Sequence, residues 1–325
     1  MKSVLVRYAA PVAAFIAVAV AGIIPVAQAA DFSCSTAKLI VPWKPGGGTD
    51  VIFRIYANTI NGYGGKPQVQ VVNISGQGGN KGAKEAKKSK PDGCTLFAIH
   101  QSAITSYLNG RIDFTWDAFD TVSLLTDSPD IVGAAGNAQW NSLTEMLDAG
   151  RKNPGTILTG ATFGSTSQFM WLLMEELLGA KFKYVPFDGT RERMTALLAN
   201  NIELGTLNVV AGKKYLTGGD LKAYGIAAEE RSDQLPDLPT LKEQGLDLVY
   251  SLKRGIVVQK GTPRDKIDYW AAALKRASED PALLEQMKAK GTGVKWVGPD
   301  DYAAWFEKTY MDHEKVAVKI GMFKK

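Results

Sequence analysis

Three small-residue turns, each set between an apolar run and a helical pattern, hold the residues whose types and spacing point to chemistry. The first is Pro45-Gly46-Gly47-Gly48-Thr49-Asp50, behind Val41-Pro42-Trp43-Lys44. Prolines bar further ladder pairing, glycines let the backbone turn closely, and a helix starts at Thr49 or Asp50. Free N–H groups at such a turn, with the positive end of a helix dipole, hold an anion without a charged side chain. The same residues also fit an ordinary strand-to-helix corner capped by Asp50. A nucleotide loop fits poorly, because no Gly-Lys-Ser/Thr closes the run and Asp50 would repel a phosphate.

The second turn is Asn73-Ile74-Ser75-Gly76-Gln77-Gly78-Gly79-Asn80-Lys81-Gly82. Its glycines miss the dinucleotide spacing, since Lys81 stands at the last position. The third, Ala161-Thr162-Phe163-Gly164-Ser165-Thr166-Ser167-Gln168, is dense in small hydroxyls. It reads either as a ligand loop or as simple N-capping by Ser165 or Ser167. Strands that end in such turns within a parallel sheet put them where open α/β folds bind ligands.

Other residues carry two readings each. Arg191 fits fork-like pairing with a second carboxylate, or an ion pair with Asp188 or Glu192. Trp43 and Phe163 flank the turns and would sandwich a planar acid or pack lobe on lobe. Arg254 reads as a hinge-side ligand contact or a structural ion pair. His100 borders the same sheet edge as the glycine turns. His313 reads as a surface residue, and Trp171, Trp270 and Trp305 as core. No histidine or cysteine cluster has metal-ligand spacing, no Gly-x-Ser-x-Gly elbow supports a serine hydrolase built on Ser165 or Ser167 with His100 as base, and no cofactor motif appears.

Positioning these turns requires an alternating α/β chain. Strands are expected over 38–42, 68–72 and 95–100, with helices over 50–60, 81–88 and 103–108. After a turn-like Asp127-Ser128-Pro129-Asp130, a second series follows. Ser142 with Glu145 makes a capping box, and strands near 157–160, 182–186, 202–207 and 223–227 alternate with helices at 167–178 and 191–199. The chain is extended again over 249–258, and helices at 263–277, 281–290 and 299–319 then return to the first lobe without a new sheet. The expected architecture is therefore α/β with two lobes, each a mainly parallel sheet flanked by helices. Lobe 1 is 30–129 plus 249–325, and lobe 2 is 130–248.

Residues 1–29 read as an export signal: Lys2 and Arg7, an apolar run, then small residues before a cleavage point after Ala29 or Ala30. Without Lys2 and Arg7 the formal charge falls from +5 to +3, too mild for nucleic acid. Cys34 and Cys94 each precede an apolar run, Leu39-Ile40-Val41 and Leu96-Phe97-Ala98-Ile99. If those runs are parallel neighbours, the cysteines lie at one end of the sheet and form a disulfide, with two buried thiols as the alternative.

Taken together, the motifs resemble the Bug receptors, the substrate-binding proteins of tripartite tricarboxylate transporters. The resemblance spans nearly the whole mature chain. It includes the 41–50 and 73–82 turns, Arg54, Lys90-Pro91-Asp92-Gly93-Cys94-Thr95-Leu96, Gly164-Ser165-Thr166-Ser167, Val185-Pro186-Phe187, 238–245 and Lys260-Gly261-Thr262-Pro263. It implies a periplasmic Venus-flytrap receptor, monomeric and non-catalytic, that closes on a small carboxylate and delivers it to membrane permease subunits. By this resemblance the ligand is held at Pro45, Gly46, Gly47, Gly48 and Thr49 on one side. Opposite stand Ala161, Thr162, Phe163, Gly164, Ser165, Thr166 and Gln168; Trp43 and Arg191 join them only on the ligand-contact readings given above. Cys94 stands where the family often has tyrosine, Gln168 where histidine is common, and Phe187-Asp188-Gly189-Thr190 where Tyr-Lys-Gly-Gly is usual. Those departures fall where the far end of a ligand would be read.

Overall fold

The computed structural model describes residues 31–323; the expected export signal and its cleavage point lie outside them. The first series forms β1 (Thr36–Val41), α1 (Gly48–Gly62), β2 (Gln68–Asn73), α2 (Asn80–Lys87), β3 (Thr95–His100) and α3 (Ser102–Leu108). Each helix returns the chain in the same direction, so β1 pairs in parallel with β2 on one side and β3 on the other. That pairing puts Cys34 and Cys94 together ahead of their strands. Lys38 N–H donates to the Cys94 carbonyl at 2.9 Å, and the two cysteines form a disulfide with Cα atoms 6.1 Å apart.

Next come β4 (Phe119–Ala135), α4 (Leu143–Lys152), β5 (Leu158–Ala161), α5 (Thr166–Leu178), β6 (Lys183–Pro186), α6 (Thr190–Leu198), β7 (Leu204–Asn208), α7 (Val209–Thr217) and β8 (Leu221–Ile226). The chain ends in β9 (Ser251–Gln259), α8 (Arg264–Ser278), α9 (Pro281–Ala289), β10 (Gly293–Val297) and α10 (Pro299–Lys319). Ser142 caps α4 by accepting from Glu145 N–H at 3.1 Å, while the Glu145 carboxylate accepts from Asn141 N–H at 2.8 Å.

One strand joins the two sheets. Residues 119–129 of β4 pair antiparallel with β9, and residues 130–135 pair antiparallel with β7 and β8. The first sheet thus runs β2-β1-β3-β9-β4, with β10 also on β4, and the second runs from β8 through β4, β7 and β5 to β6. Parallel pairing is confined to the outer strands, whereas β4 and β9 are antiparallel to their neighbours. The Asp127-Ser128-Pro129-Asp130 stretch, expected as a turn, is the interior of this 17-residue strand. Proline fits there because the strand leaves one ladder and enters another, where a missing N–H leaves no partner unsatisfied. The second return crosses at the same level: Asp130 N–H donates to Tyr250 O, Tyr250 N–H to Ala227 O, and Ala227 N–H to Asp130 O.

The late helices do bring a strand with them, contrary to expectation, since β10 pairs antiparallel with β4. α1, α8 and α9 cover one face of the first sheet with Ile52, Phe53, Tyr56, Trp270 and Leu274. α10 covers the other with Tyr302 and Phe306, and this core runs on into the second sheet through Phe169, Trp171 and Phe182. His313, read as a surface residue, stacks on Phe169 of α5 at 4.8 Å. The 21-residue length of α10 carries it across to the second lobe.

The disulfide closes a 60-residue loop, worth about 4 kcal/mol in the chain-entropy model. The Cys34→Ala/Cys94→Ala double variant is expected to lose about 2–4 kcal/mol in denaturant unfolding. A loss below the error of that measurement would show that the strands hold this end unaided.

Candidate ligand-binding cleft

A cleft opens at the junction, where the C-terminal ends of β1 and β3 face those of β5 and β7. Its lining includes Trp43, Lys44, Gly47, Gly48, Thr49 and His100 from the first lobe. Asp130 at the junction and Thr162, Ser165, Thr166, Ser167, Thr190, Arg191, Arg193, Thr206 and Asn208 face them.

The glycine turn leaves its helix start open. The N-cap of α1 is Gly47, which has no side chain to close the first turn, so those N–H groups remain available to an anion. Asp50, expected as a possible cap, instead folds back on the turn. Its carboxylate accepts from Gly46 N–H at 2.9 Å, from Arg54 Nε at 2.9 Å and from Asn73 Nδ2 at 2.8 Å. Burial alone would raise this carboxyl, but the bonds from Arg54, Gly46 and Asn73 hold it below the ordinary 3.8. Gly46 is locked at φ 81°, where only glycine is unstrained. The Arg191 guanidinium packs where a Gly46 side chain would stand.

The opposite turn is partly satisfied within itself. Ser165 Oγ accepts from Ser167 N–H at 3.4 Å and donates to Thr162 O at 2.8 Å, and Ser167 Oγ accepts from Thr162 N–H at 2.9 Å. Gln168 Oε1 accepts from Gly164 N–H at 2.7 Å. Both serines and Gln168 therefore brace the turn, and no hydrogen bond links either serine to His100 among the described residues. The His100 ring instead stacks on Trp43 at 4.1 Å. Its Nδ1 accepts from Ser102 N–H at 3.1 Å, which leaves Nε2 as the N–H donor. Burial, with Arg254 adding to it, pushes its pKa well below 6.5, so the ring is neutral at physiological pH.

Two buried arginines charge the hydroxyls of the walls. Arg254, 1% exposed, donates from Nε to Thr49 Oγ1 at 2.9 Å and from Nη1 to Ser128 Oγ at 2.8 Å. Arg193, 3% exposed, donates to Thr206 O at 2.9 Å and to Thr162 Oγ1 and Thr190 Oγ1, each at 3.3 Å. A hydroxyl that accepts from a guanidinium has its own proton free for another acceptor. Thr49, Thr162 and Thr190 therefore face the cleft as donors. Arg193 reaches this buried place because Gly160 and Gly205 leave its stem room; a Cβ on either would come within 2.8 and 3.0 Å of it. Arg254 is neither a lining residue nor an ion pair, and acts through Thr49.

Two acids line the cleft, Glu192 on the wall and Asp130 at the base. Burial raises the pKa of Asp130 from 3.8 to about 7, against the pull of Arg193 and Arg254. The lobes meet around it: Lys44 pairs with Glu192 at 2.8 Å, Gly78 N–H donates to Asp188 at 3.1 Å, and Thr105 and Ser106 donate to Gly164 O at 3.0 and 2.9 Å.

Of the residues expected from sequence, Trp43, Gly47, Gly48, Thr49, Thr162, Ser165, Thr166 and Arg191 line one cleft. Pro45, Gly46, Ala161, Phe163, Gly164 and Gln168 shape the turns behind it without lining it. The sandwich of Trp43 and Phe163 does not form, since His100 covers one Trp43 face. Asp130, Arg193, Thr206 and Asn208 were not foreseen; for Arg193 the available signal was the glycines inside β5 and β7.

Two sheets sharing a strand, with turns that line a cleft at their junction, define a two-lobed solute-binding protein. The pattern described as "Tripartite tricarboxylate transporter family receptor" matches residues 52–322, and the chain belongs to that family of receptors, which are not enzymes. A UPF0065 protein of Agrobacterium vitis, from the TAR-I ttuE-ttuC' intergenic region, is 31% identical over 285 residues, 86% of this chain and 82% of that one. The solved periplasmic binding protein BugD has a TM-score of 0.83 at 26% identity, covering 89% of this chain and 99% of its own. MatC from Rhodopseudomonas palustris, solved with bound malate, has a TM-score of 0.81 at 27% identity, covering 86% and 98%.

The free protein should carry a pH signature of Asp130. Between its unfolded value of 3.8 and its folded value of about 7, the folded state keeps a proton that the unfolded state has lost. Stability from this group is therefore present at low pH and lost as pH rises through that window. His100, lowered by burial, contributes the opposite slope below 6.5, so the comparison must be with a variant. Asp130→Asn is expected to gain stability over wild type, on the order of a few kcal/mol, between about pH 4 and pH 7.5. A difference that stays flat across urea titrations at these pH values would show that the carboxyl is ionised throughout.

Proposed function

We propose that this chain is an exported periplasmic receptor that captures a small organic carboxylate between its lobes and delivers it to the membrane permease of a tripartite tricarboxylate transporter. The lobes are 30–129 with 249–325, and 130–248. The receptor works as a monomer, after loss of residues 1–29. The observation that carries this reading is the uncapped start of α1, with the arginine-charged Thr49 hydroxyl in its first turn, facing two more such hydroxyls, Thr162 and Thr190, across one cleft. Such a set is rich in donors, its serines are bonded within their own turn, and no cluster fit to hold a metal ion occurs among the described residues, which suits binding an anion rather than transforming it. On this reading Pro45 to Thr49 and Ala161 to Gln168 are the two jaws, and Arg191, Asp188 and Gln168 shape the far end of the site. The rim contacts then belong to the closed state. Described helices contain none long and apolar enough to cross a membrane, and the malate bound by MatC is of the proposed chemical class.

A thermal-shift screen of mono-, di- and tricarboxylates, with sugars and neutral amides as controls, tests the reading, because a ligand of the native state raises its melting temperature. At least one carboxylate should raise it and the neutral solutes should not; the reverse would sink the proposal. Gly47 offers the paired variant. It has φ −76° and ψ 161°, and a Cβ there meets only Lys44 O at 3.6 Å, so a side chain fits the fold but fills the anion seat. Gly47→Val should fold with near-wild-type stability and bind the hit at least about 100-fold more weakly, the loss of two or more charge-assisted bonds. Retained affinity in calorimetry would make the turn merely structural.

A further inference from the structure

The walls of the cleft are rich in donors, their one acid, Glu192, being paired with Lys44, but the base is an unpaired acceptor. Asp130 is 6% exposed and lines the cleft. Its backbone N–H and carbonyl are spent on Tyr250 and Ala227, and among the described residues nothing donates a hydrogen bond to its carboxylate. Thr206, 1% exposed, also lines the cleft, and its hydroxyl has no partner. Asp130 faces Asn208 and Val132 faces Thr206 across β4 and β7. Asp130 and Thr206 are therefore diagonal neighbours on one sheet face.

The neighbouring cations do not satisfy this carboxylate. Arg193 donates to Thr206 O, Thr162 and Thr190, and Arg254 to Thr49, Ser128 and Leu252 O, and none of these bonds goes to Asp130. They act on Asp130 as charges at a distance, without contact. Asn208 is oriented by its Oδ1, which accepts from Ala211 N–H at 3.1 Å to cap α7, and its Nδ2 makes no hydrogen bond to Asp130 among the described residues. Once ionised, this buried acceptor without a donor is costly, and a ligand bearing carboxylates alone would set like charge or bare carbon against it.

We infer that Asp130 determines the specificity of the cleft by accepting a hydrogen bond from the ligand, so that the preferred ligand is an acid bearing a hydroxyl or protonated amine beside its carboxylate. This rests on the carboxylate-receptor reading: the anion seats on the walls, and the donor points to the base. Thr206 bonds the same group from the side. The two donor types share this chemistry, and the test separates them.

Calorimetry at about pH 8, where the Asp130 carboxyl is ionised, reads the inference directly on matched sets: propionate, lactate and alanine; succinate, malate and aspartate; glutarate, 2-hydroxyglutarate and glutamate; 3-phenylpropionate, 3-phenyllactate and phenylalanine. Within each set that binds, the hydroxy or amino member should bind at least about tenfold more tightly than the donor-free acid. In Asp130→Ala that preference should collapse to about threefold or less, while the donor-free acid still binds. Asp130→Asn keeps a neutral acceptor, so it should retain a hydroxyl preference and lose an ammonium preference. Equal or tighter binding of the donor-free acid by wild type overturns the inference and leaves the carboxylate reading intact. This ranking needs no variant, so it decides the matter even if Asp130→Ala does not fold. A full preference surviving in Asp130→Ala overturns the inference as well. Binding of neutral solutes with no acid of any set bound would instead bring down the carboxylate reading, and this inference with it.

Discussion

The cleft depends on two guanidinium groups that are buried without a carboxylate in contact. Arg193 and Arg254 are held by backbone carbonyls and hydroxyls, and their charge is passed on through Thr162, Thr190 and Thr49. Burial lowers both to about 10, with Asp130 pulling the other way, so both stay cationic at physiological pH. Burying charge this way is unfavourable in the empty protein. An anion seated on those hydroxyls relieves it, while a neutral solute does not. The binding energy for a negative group is thus prepared before any ligand arrives, and the charged side chains never need to touch it.

The rest of the fold serves that arrangement. Arg193 enters from α6 over Gly160 and Gly205, so the strands behind it must be nearly bare at those positions. Arg254 enters from β9, which is possible because β9 pairs with β4 in the first sheet and begins beside the second. The uncapped α1 and the self-braced α5 then face each other across the junction. The disulfide lies at the opposite end of β1 and β3, where it secures the sheet without constraining the cleft.

Much of this was legible in the sequence. The βα alternation from β1 to β3, the three small-residue turns and the cysteine pair are local signals, and the local chemistry of glycine, proline and capping residues decided them. β4 was missed because Asp127, Ser128 and Pro129 have turn composition, and only the presence of two separate ladders makes a long strand there favourable. β10 is short and its Lys295 and Trp296 give no clean alternation. Arg193 reads as one charge among several in Thr190-Arg191-Glu192-Arg193; nothing local says that one arginine lies over Gly46 and the other is buried. Asp130 gains its meaning only from Tyr250 and Ala227, more than ninety residues away, which exclude it from water.

The three-way backbone joint of Asp130, Ala227 and Tyr250 also has a kinematic consequence. For any rotation of one sheet against the other, atoms at the joint travel least and atoms at the rim travel most. Asp130 and the nearby Thr206 keep their spacing at every opening angle. Lys44 with Glu192, Gly78 with Asp188, and Gly164 with Thr105 and Ser106 meet only at one angle. A visiting molecule therefore meets a fixed anvil and a moving hammer, and the spacing of the groups at the base is independent of how far the jaws stand apart.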